Sequence, residues 1–151
     1  MPSEMPVCGA DLHVTISFDS RSLVRRSSRL SLAVTDLLGN TIICCSTEMT
    51  LAHVPSIGSN DIALCRIPAL PLTGGHYLLT LFLEQDGIIQ DWISGACQFE
   101  VVDADFFGFG KNVPTGYNGR IVLVSHSWSF SENISDQFPD STQDRADAPS
   151  Y

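Results

Sequence analysis

The sequence predicts an all-β fold, an antiparallel sandwich of about seven or eight short strands. Three observations predict it. Apolar and polar residues alternate along several stretches, Gly, Pro and Asn interrupt these stretches at short intervals, and no window of about twelve residues keeps the 3.6-residue period of a helix. Helices are therefore expected to be at most a single turn. With 151 residues, the chain is long enough for one domain that buries its own core.

The strands follow from the alternation and from the turn residues between them. In DLHVTISF, residues 11–18, every second residue is apolar, and the same holds for RLSLAVTD, residues 29–36. Each of these strands should have one buried and one wet face. Gly39-Asn40 within VTDLLGNTIICC and Asp86-Gly87 within LLTLFLEQDGIIQDW are the turn signals of two hairpins. Further strands are expected at about 61–67, 96–102 and 120–126.

Composition divides the chain into three parts. Residues 1–8 are expected to be a leader or the remnant of a preceding strand or linker, and residues 9–128 to form the sandwich. Residues 129–151 are polar and acidic with scattered aromatic residues, so a disordered tail is expected there. The first ten residues, MPSEMPVCGA, have no basic segment followed by an apolar one, so they are not expected to direct secretion.

Charge and cysteine content narrow the classes of ligand. The net charge is −9, whereas nucleic acid or an anionic membrane surface would require a clustered basic patch. Of the five cysteines, Cys44 and Cys45 are adjacent, a spacing that does not suit an ordinary disulfide. No zinc-type spacing of Cys and His occurs, so we expect reduced thiols in a cytosolic protein and no metal. A neutral or weakly charged ligand fits this composition best.

No constellation typical of catalysis can be recognised. The four histidines lie on separate predicted elements, and no hydrolase or metalloprotease motif occurs. The stretch GFGKNVPTG, residues 108–116, contains glycines and a lysine but lacks the spacing of a phosphate-binding loop. The chain is therefore not expected to be an enzyme or to hold a cofactor.

A proline-glycine corner followed by a tyrosine gives the sandwich a more specific character. In LPLTGGHYLLTLFL, residues 70–83, Tyr77 stands near the start of a strand. In immunoglobulin-like sandwiches a tyrosine at this place donates a hydrogen bond back across the corner, so we assign Tyr77 a structural role. Every second residue from Tyr77 should then face the core, which leaves Leu78 and Phe82 on the wet side. A loop, a second copy of the chain or a ligand should cover them.

Three motifs together give the sequence a resemblance to a known family. They are the D-x-x-G-N hairpin at 36–40, the P-L-x-x-G-x-Y corner at 71–77 and the run F-E-V-V-D-A-D-F-F-G-x-G at 99–110. In this order and spacing the chain resembles, over about residues 9–128, the C-terminal domain of the ATP-binding subunit of bacterial O-antigen polysaccharide ABC transporters, the Wzt type. The resemblance implies a non-catalytic, carbohydrate-binding, immunoglobulin-like sandwich.

The resemblance also implies a setting for the domain. It would recognise the finished non-reducing end of an undecaprenol-linked glycan in the cytoplasm, at the inner face of the inner membrane. Its partners would be the nucleotide-binding domain and the membrane subunit of the transporter, and a second copy in a homodimer, in some relatives by exchange of a C-terminal strand. The chain lacks the ATPase motifs and so looks like an excised or free-standing module. Only eight residues precede Gly9, and the tail after Trp128 has no counterpart in the family, so the dimer arrangement is left open.

Candidate sugar contacts follow from chemistry, since aromatic rings stack on the apolar face of a sugar and polar side chains bond to its hydroxyl groups. Alternation puts Gln90 and Trp92 on one face and Ile89 and Ile93 on the other. Trp92 is then a stacking platform if the isoleucines face the core, and a core tryptophan is the alternative. Trp128 is either a second platform or part of a dimer seam. The full candidate set is Gln90, Asp91, Trp92, Trp128, His53, Arg66, Tyr117 and Asn118.

A sandwich that only dimerises or docks on another protein is the alternative function, and extracellular adhesion is disfavoured because it requires export. The glycine-rich loop after the strand CQFEVV carries Phe106, Phe107 and Phe109. We expect these three rings to form a plug over the end of the sandwich or against a partner, because the glycines let the loop turn sharply.

Overall fold

The computed structural model describes residues 4–18, 23–113 and 121–130, whose strands form two antiparallel sheets around one core. The smaller sheet has the order β1-β5, and the larger one has the order β3-β2-β6-β7, with β4 paired to β2. The predicted all-β sandwich is confirmed. Its elements are β1 (Leu12–Ser17), β2 (Arg26–Thr35), β3 (Thr41–Ser46), α1 (Thr47–Thr50), β4 (Ser56–Ile57), β5 (Ile62–Ile67), β6 (Gly75–Gln85) and β7 (Ile88–Val101).

Alternating apolar residues build the core between the sheets. In β2, Leu30, Leu32 and Val34 are buried, and in and after β1 so are Ile16 and Phe18, as the period-2 pattern predicts. Full burial of one such side chain stabilises the fold by about 1.5–3 kcal/mol. The intervening residues therefore form the outward faces, which is where a ligand can be met.

The D-x-x-G-N stretch forms the predicted first hairpin. The carboxylate of Asp36 accepts hydrogen bonds from the backbone N–H groups of Leu38 and Asn40, both at 2.9 Å. The Asn40 side-chain amide donates to the same carboxylate at 2.9 Å. Gly39 takes the positive φ of 89° that the turn requires. Asparagine thus contributes its side chain, and glycine alone contributes the left-handed conformation.

Strand β7 is longer than the sequence predicts. The returning strand of the second hairpin and the strand expected at 96–102 form one continuous strand. Gly95 has a φ of +64°, and its N–H donates to the hydroxyl of Thr80 at 3.2 Å, so the chain passes through an irregularity and continues pairing. The glycine therefore marks a bulge within the strand and not its end.

A second irregularity in β7 overturns the alternation expected around Trp92. Ile89 pairs with Glu84 on the outward face, whereas Ile93 pairs with the inward-facing Leu81. The two isoleucines therefore lie on opposite faces, and the prediction that they share one is wrong. Trp92 pairs with Phe82 and so lies on the outward face.

The last predicted strand, at 120–126, is not formed in its described part. Among residues 121–130 only Val122 makes a β-bridge, to Leu72, and the N–H of Leu123 donates to the carbonyl of Pro71 at 2.9 Å. Leu123 is buried, while Val124 and Trp128 are exposed. Alternation indicates which side chains of a segment share a face. It does not show whether a neighbouring strand is present for the backbone to pair with.

Tyr77 fastens the corner that leads into β6. Its hydroxyl donates to the carbonyl of Thr73 at 2.7 Å, and its fully buried ring stacks on Phe99 with 5.8 Å between centroids. Next to it, the N–H of Gly74 donates to the Asp103 carboxylate at 2.6 Å, and a Cβ on residue 74 would lie 2.5 Å from the carboxylate carbon. The structural role predicted for Tyr77 is confirmed.

The loop after β7 folds around one carboxylate. Asp105 accepts hydrogen bonds from the backbone N–H groups of residues 108–110. Phe106 and Phe107 meet edge to face at 5.0 Å between centroids and pack against the core, as expected of a plug. Phe109 is 82% exposed, so it does not pack over the described part of the sandwich, and its packing against a partner stays a prediction.

The structure bears on the two expected domain boundaries, the leader at residues 1–8 and the tail from residue 129. Val7 forms a parallel bridge with Val102, and the side chain of Cys8 is buried, so the stretch expected to be a leader contacts the body at its end. Of the expected tail, residues 131–151 lie outside the described residues. No helix in the described ranges is long and apolar enough to cross a membrane.

The Tyr77 corner can be tested by replacing Tyr77 with Phe. This change keeps the ring stack on Phe99 but removes the hydroxyl that donates to the Thr73 carbonyl, which should lower the free energy of unfolding by about 1–3 kcal/mol. Urea denaturation followed by circular dichroism measures it, and Tyr77→Ala, which also removes the ring, should cost clearly more. Equal urea midpoints for wild type and Tyr77→Phe would contradict this role.

The Asp105 loop predicts a pH dependence of stability. The N–H of Gly110, and with it those of Gly108 and Phe109, stabilises the carboxylate and lowers the pKa of Asp105. A lowered pKa means that the stabilisation is present above the unfolded value of about 3.9 and is lost as pH falls through the folded value. The difference in unfolding free energy between wild type and Asp105→Asn should be constant from pH 5 to 7 and shrink below about pH 4. A difference unchanged at the lowest pH would refute this.

The adjacent cysteines of β3 give a direct test of its faces. Cys44 pairs with Ala33 and is exposed, whereas Cys45 pairs with the core residue Leu32. Burial, with the Cys65 thiol beside it, raises the pKa of the Cys45 thiol to about 11, so little of it is the reactive thiolate at neutral pH. A maleimide at pH 7.5 should label Cys44 at least about tenfold faster than Cys45 in the native protein, as read by peptide mass spectrometry. Equal labelling rates would show that the register of β3 is wrong.

Candidate functional site

The outward face of the larger sheet contains a shallow hollow of about 330 Å³. The pairing of β2 with β6 places Ser31 opposite Phe82, and Trp92 of β7 lies on the other side of Phe82. Two aromatic rings therefore stand beside a row of small polar side chains. The hydroxyl-bearing residues that line the hollow are Ser31, Thr35, Thr41, Thr80 and Ser94.

Trp92 is the most accessible ring of this face. Its side chain is 64% exposed, and it meets the ring of Phe82 edge to face with 5.7 Å between centroids. The alternative of a core tryptophan is therefore wrong. Phe82 is half-buried, and its edge-to-face contact with the indole leaves most of the indole surface open to a ligand.

Arg29 lies next to the hollow, over the Phe82 ring that lines it. Its guanidinium carbon lies 4.9 Å from the centroid of Phe82, and its nitrogens donate to the carboxylates of Glu84 at 3.0 Å and Glu48 at 3.3 Å. The hydrogen bond to Glu84 is the main cause that raises the pKa of Arg29. Ion pairs this exposed contribute little to stability, so their effect is to orient the guanidinium over Phe82 and neutralise it.

His53 lies in a neighbouring hollow of about 340 Å³, in the loop that follows α1. Arg29, Glu48 and Glu84 belong to the wall of this second hollow, and Arg29 also lies over Phe82, which lines the first hollow. His53 itself is exposed. The structure thus brings His53 near the rim of the site but not onto the aromatic face.

Trp128 lines a third and larger hollow of about 910 Å³, between the loop 105–113 and the segment 121–128. Its ring meets that of His126 at 6.3 Å, which in turn meets Phe107 at 5.2 Å. One wall of this hollow is a segment bonded to the body only around Val122 and Leu123 in the described residues. Fewer hydrogen bonds therefore hold this wall than hold the paired strands that line the sheet hollow.

Arg66 lies on the outward face of the smaller sheet, on the other side of the sandwich from Trp92. It pairs with His13 across β1 and β5, and its guanidinium contacts the Asp11 carboxylate at 2.6 Å. It is therefore not brought into the hollow. Tyr117 and Asn118 lie outside the described residues.

Gln90 and Asp91 do not share the face of Trp92 in the way that simple alternation suggests. Gln90 is the residue without a partner at the irregularity of β7, and Asp91 pairs with the inward-facing Leu83. Both residues are exposed. They flank the site and do not line it.

The sequence reasoning missed Phe82 as a contact residue, and it missed Arg29 and the hydroxyl row. Its one signal was that Leu78 and Phe82 occupy the wet face of an apolar strand. The register of β2, β6 and β7 was needed to show that this face meets Trp92. Among the described residues, no cluster of three or more His, Cys, Asp or Glu side chains could hold a metal ion.

Comparisons with known proteins agree with the fold and its motifs. The sequence profile described as Wzt C-terminal domain matches residues 2–118, which include all three motifs noted above. A solved structure titled "Crystal structure of the C-terminal domain of wzt" is similar to the chain with a TM-score of 0.56 and 10% identity, over 84% of this chain and 74% of that one. No curated protein matches the chain. Because the profile covers well over half of the residues, the chain belongs to the Wzt C-terminal domain family.

Proposed function

We propose that this domain binds carbohydrate in the hollow on the outward face of its larger sheet, as the glycan-recognition domain of an O-antigen ABC transporter. Family membership supports the transporter setting. The observation that carries the binding proposal is the exposed Trp92 ring, which stands beside Phe82 and a row of serine and threonine hydroxyls.

The chemistry of the hollow suits a sugar. One face of a pyranose is a patch of C–H groups that lies flat on an aromatic ring, while its hydroxyl groups exchange hydrogen bonds with side chains that both donate and accept. The volume of about 330 Å³ is at the small end of the range for small-molecule sites, so one to three sugar units fit. A site this small suits the non-reducing end of a glycan. Affinities in the micromolar to millimolar range are expected.

In this setting the domain supplies recognition and no catalysis. ATP hydrolysis would reside in a separate nucleotide-binding domain, which with the membrane subunit would be the partner of the sandwich at the cytoplasmic face of the inner membrane. The ligand would be an undecaprenol-linked O-antigen chain, held until the transporter exports it.

A module that only dimerises or docks is the second candidate, and one observation favours it. Strand β7 is the last strand of the larger sheet, and Ile88, Ile89 and Ile93 on it are 61%, 51% and 42% exposed. An exposed apolar edge strand invites pairing with another chain. Association is also compatible with sugar binding in a homodimer, so only the absence of glycan binding separates the two functions.

Replacing Trp92 with Ala tests the binding proposal. Loss of the stacking platform should weaken binding of the lipid-free O-polysaccharide of the source organism about tenfold or more, since about 1.4 kcal/mol corresponds to tenfold. Trp128→Ala is the matched control, because Trp128 lines a separate hollow, and its affinity should stay within about twofold of wild type. Isothermal titration calorimetry on the purified domain measures both.

Two outcomes would contradict the proposal in different ways. If Trp128→Ala weakens binding and Trp92→Ala does not, the site is the hollow beside the loop 105–113. If wild type binds no polysaccharide in a broad panel while its sedimentation coefficient rises with concentration, the docking module is the better reading.

A further inference from the structure

We infer that the hollow takes a sugar unit without negative charge and rejects uronic acids and phosphorylated sugars. The inference rests on the proposed function, because it concerns the same hollow and names the class of sugar that enters it. Three observations carry it: the lining of the hollow, the state of the arginine at its rim, and the pairing of the other described arginines.

The lining offers hydroxyl groups and aromatic rings. Among the described residues that line the hollow, none carries a charged side chain. Serine and threonine hydroxyls both donate and accept, which matches the hydroxyl groups of a neutral sugar. Carboxylates and phosphates are instead held by guanidinium forks or by several converging N–H donors, and the described lining presents no such fork.

Arg29 is the cation placed to meet an anionic ligand, and its charge is already engaged. Its guanidinium donates to Glu84 and to Glu48, while its face lies over Phe82. One cation between two anions leaves the cluster with one net negative charge. A carboxylate or phosphate arriving over Phe82 would meet this negative cluster, and the repulsion from Glu84 and Glu48 would offset the attraction of Arg29.

The same pairing extends over the described part of the chain. Arg25 contacts Asp61 at 2.9 Å, Arg66 contacts Asp11 at 2.6 Å, and the more distant pair Arg26 and Asp86 lies at 3.9 Å. The net charge of the chain is −9, which adds repulsion beyond the contact distance at low salt. Neither the pairing of the arginines nor the negative net charge affects the binding of a neutral sugar.

A matched set of methyl glycosides tests the inference. For each of glucose, galactose and mannose, the neutral hexoside, its 6-deoxy form, its uronic acid and its 6-phosphate are titrated into the domain, and the indole N–H resonance of Trp92 is followed by NMR. The neutral members of at least one series should shift this resonance at millimolar concentration. The two acidic members should bind at least about tenfold more weakly than the neutral ones. This difference in affinity should narrow as salt is added.

The possible failures are distinguishable. If an acid or a phosphate binds as tightly as its neutral counterpart and Trp92→Ala abolishes both, the inference is overturned while the proposed function stands. If no neutral or acidic glycan binds, including the polysaccharide itself, the proposed function fails and the inference fails with it.

The Arg29 cluster can be tested by a gain of binding. Glu84→Gln removes one of the two anions and frees part of the guanidinium, so the ratio of acidic to neutral affinity should rise about fivefold or more. Glu100→Gln is the matched control, because it removes one negative charge from the same face, opposite His76 and away from Arg29. An equal rise in both variants would show that net charge, and not the Arg29 cluster, excludes anions, and this part of the inference would be wrong.

Discussion

The hydrogen bond from the Tyr77 hydroxyl to the Thr73 carbonyl positions the strand on which both the core and the candidate site depend. It starts β6 with Tyr77 pointing inward, and the pleat then sets the direction of every later side chain on that strand. Because β6 lies between β2 and the edge strand β7, its placement determines the register of both neighbours. The bond from Gly74 to Asp103 ties the same corner to the loop that follows β7. The corner and the loop motifs of the family are thus two halves of one contact.

Register makes the hollow out of residues that are far apart in sequence. Phe82 has Ser31 on one side and Trp92 on the other only because β2, β6 and β7 pair as they do. A slip of one residue would turn these side chains into the core and bring apolar residues outward, so the register is strongly specified by the buried face. The irregularity at Gly95 belongs to this arrangement, since it lets β7 return to the pairing that ends beside Tyr77.

The features that depend on hydrophobic periodicity and on turn residues could be predicted from the sequence. Those that depend on which strands pair with each other could not. Alternation was sufficient for β1, β2 and β6, because one face of each is buried by the same core. It was insufficient at Gly95. Glycine often marks the end of a strand, but here it lies at a bulge within β7. Alternation was insufficient after Leu123, where no neighbouring strand is present in the described residues. Among the candidate contacts, Trp92 lies on the aromatic hollow, whereas Arg66, chosen for its chemistry alone, lies on the other sheet.

In the hydroxyl row of the hollow, Thr80 and Ser31 already use part of their hydrogen-bonding capacity within the fold, and the proposed sugar site would use the rest. Thr80 accepts the N–H of Gly95, so the hydrogen of its own hydroxyl is left to donate to a sugar oxygen. The Ser31 hydroxyl bonds to that of Ser46 at 3.0 Å, which restricts its rotation before any ligand arrives. Groups oriented in this way lose less conformational freedom on binding than free side chains. The proposed binding of a neutral sugar at so shallow a site would therefore need few contacts, because the sheet has already ordered the groups that would make them.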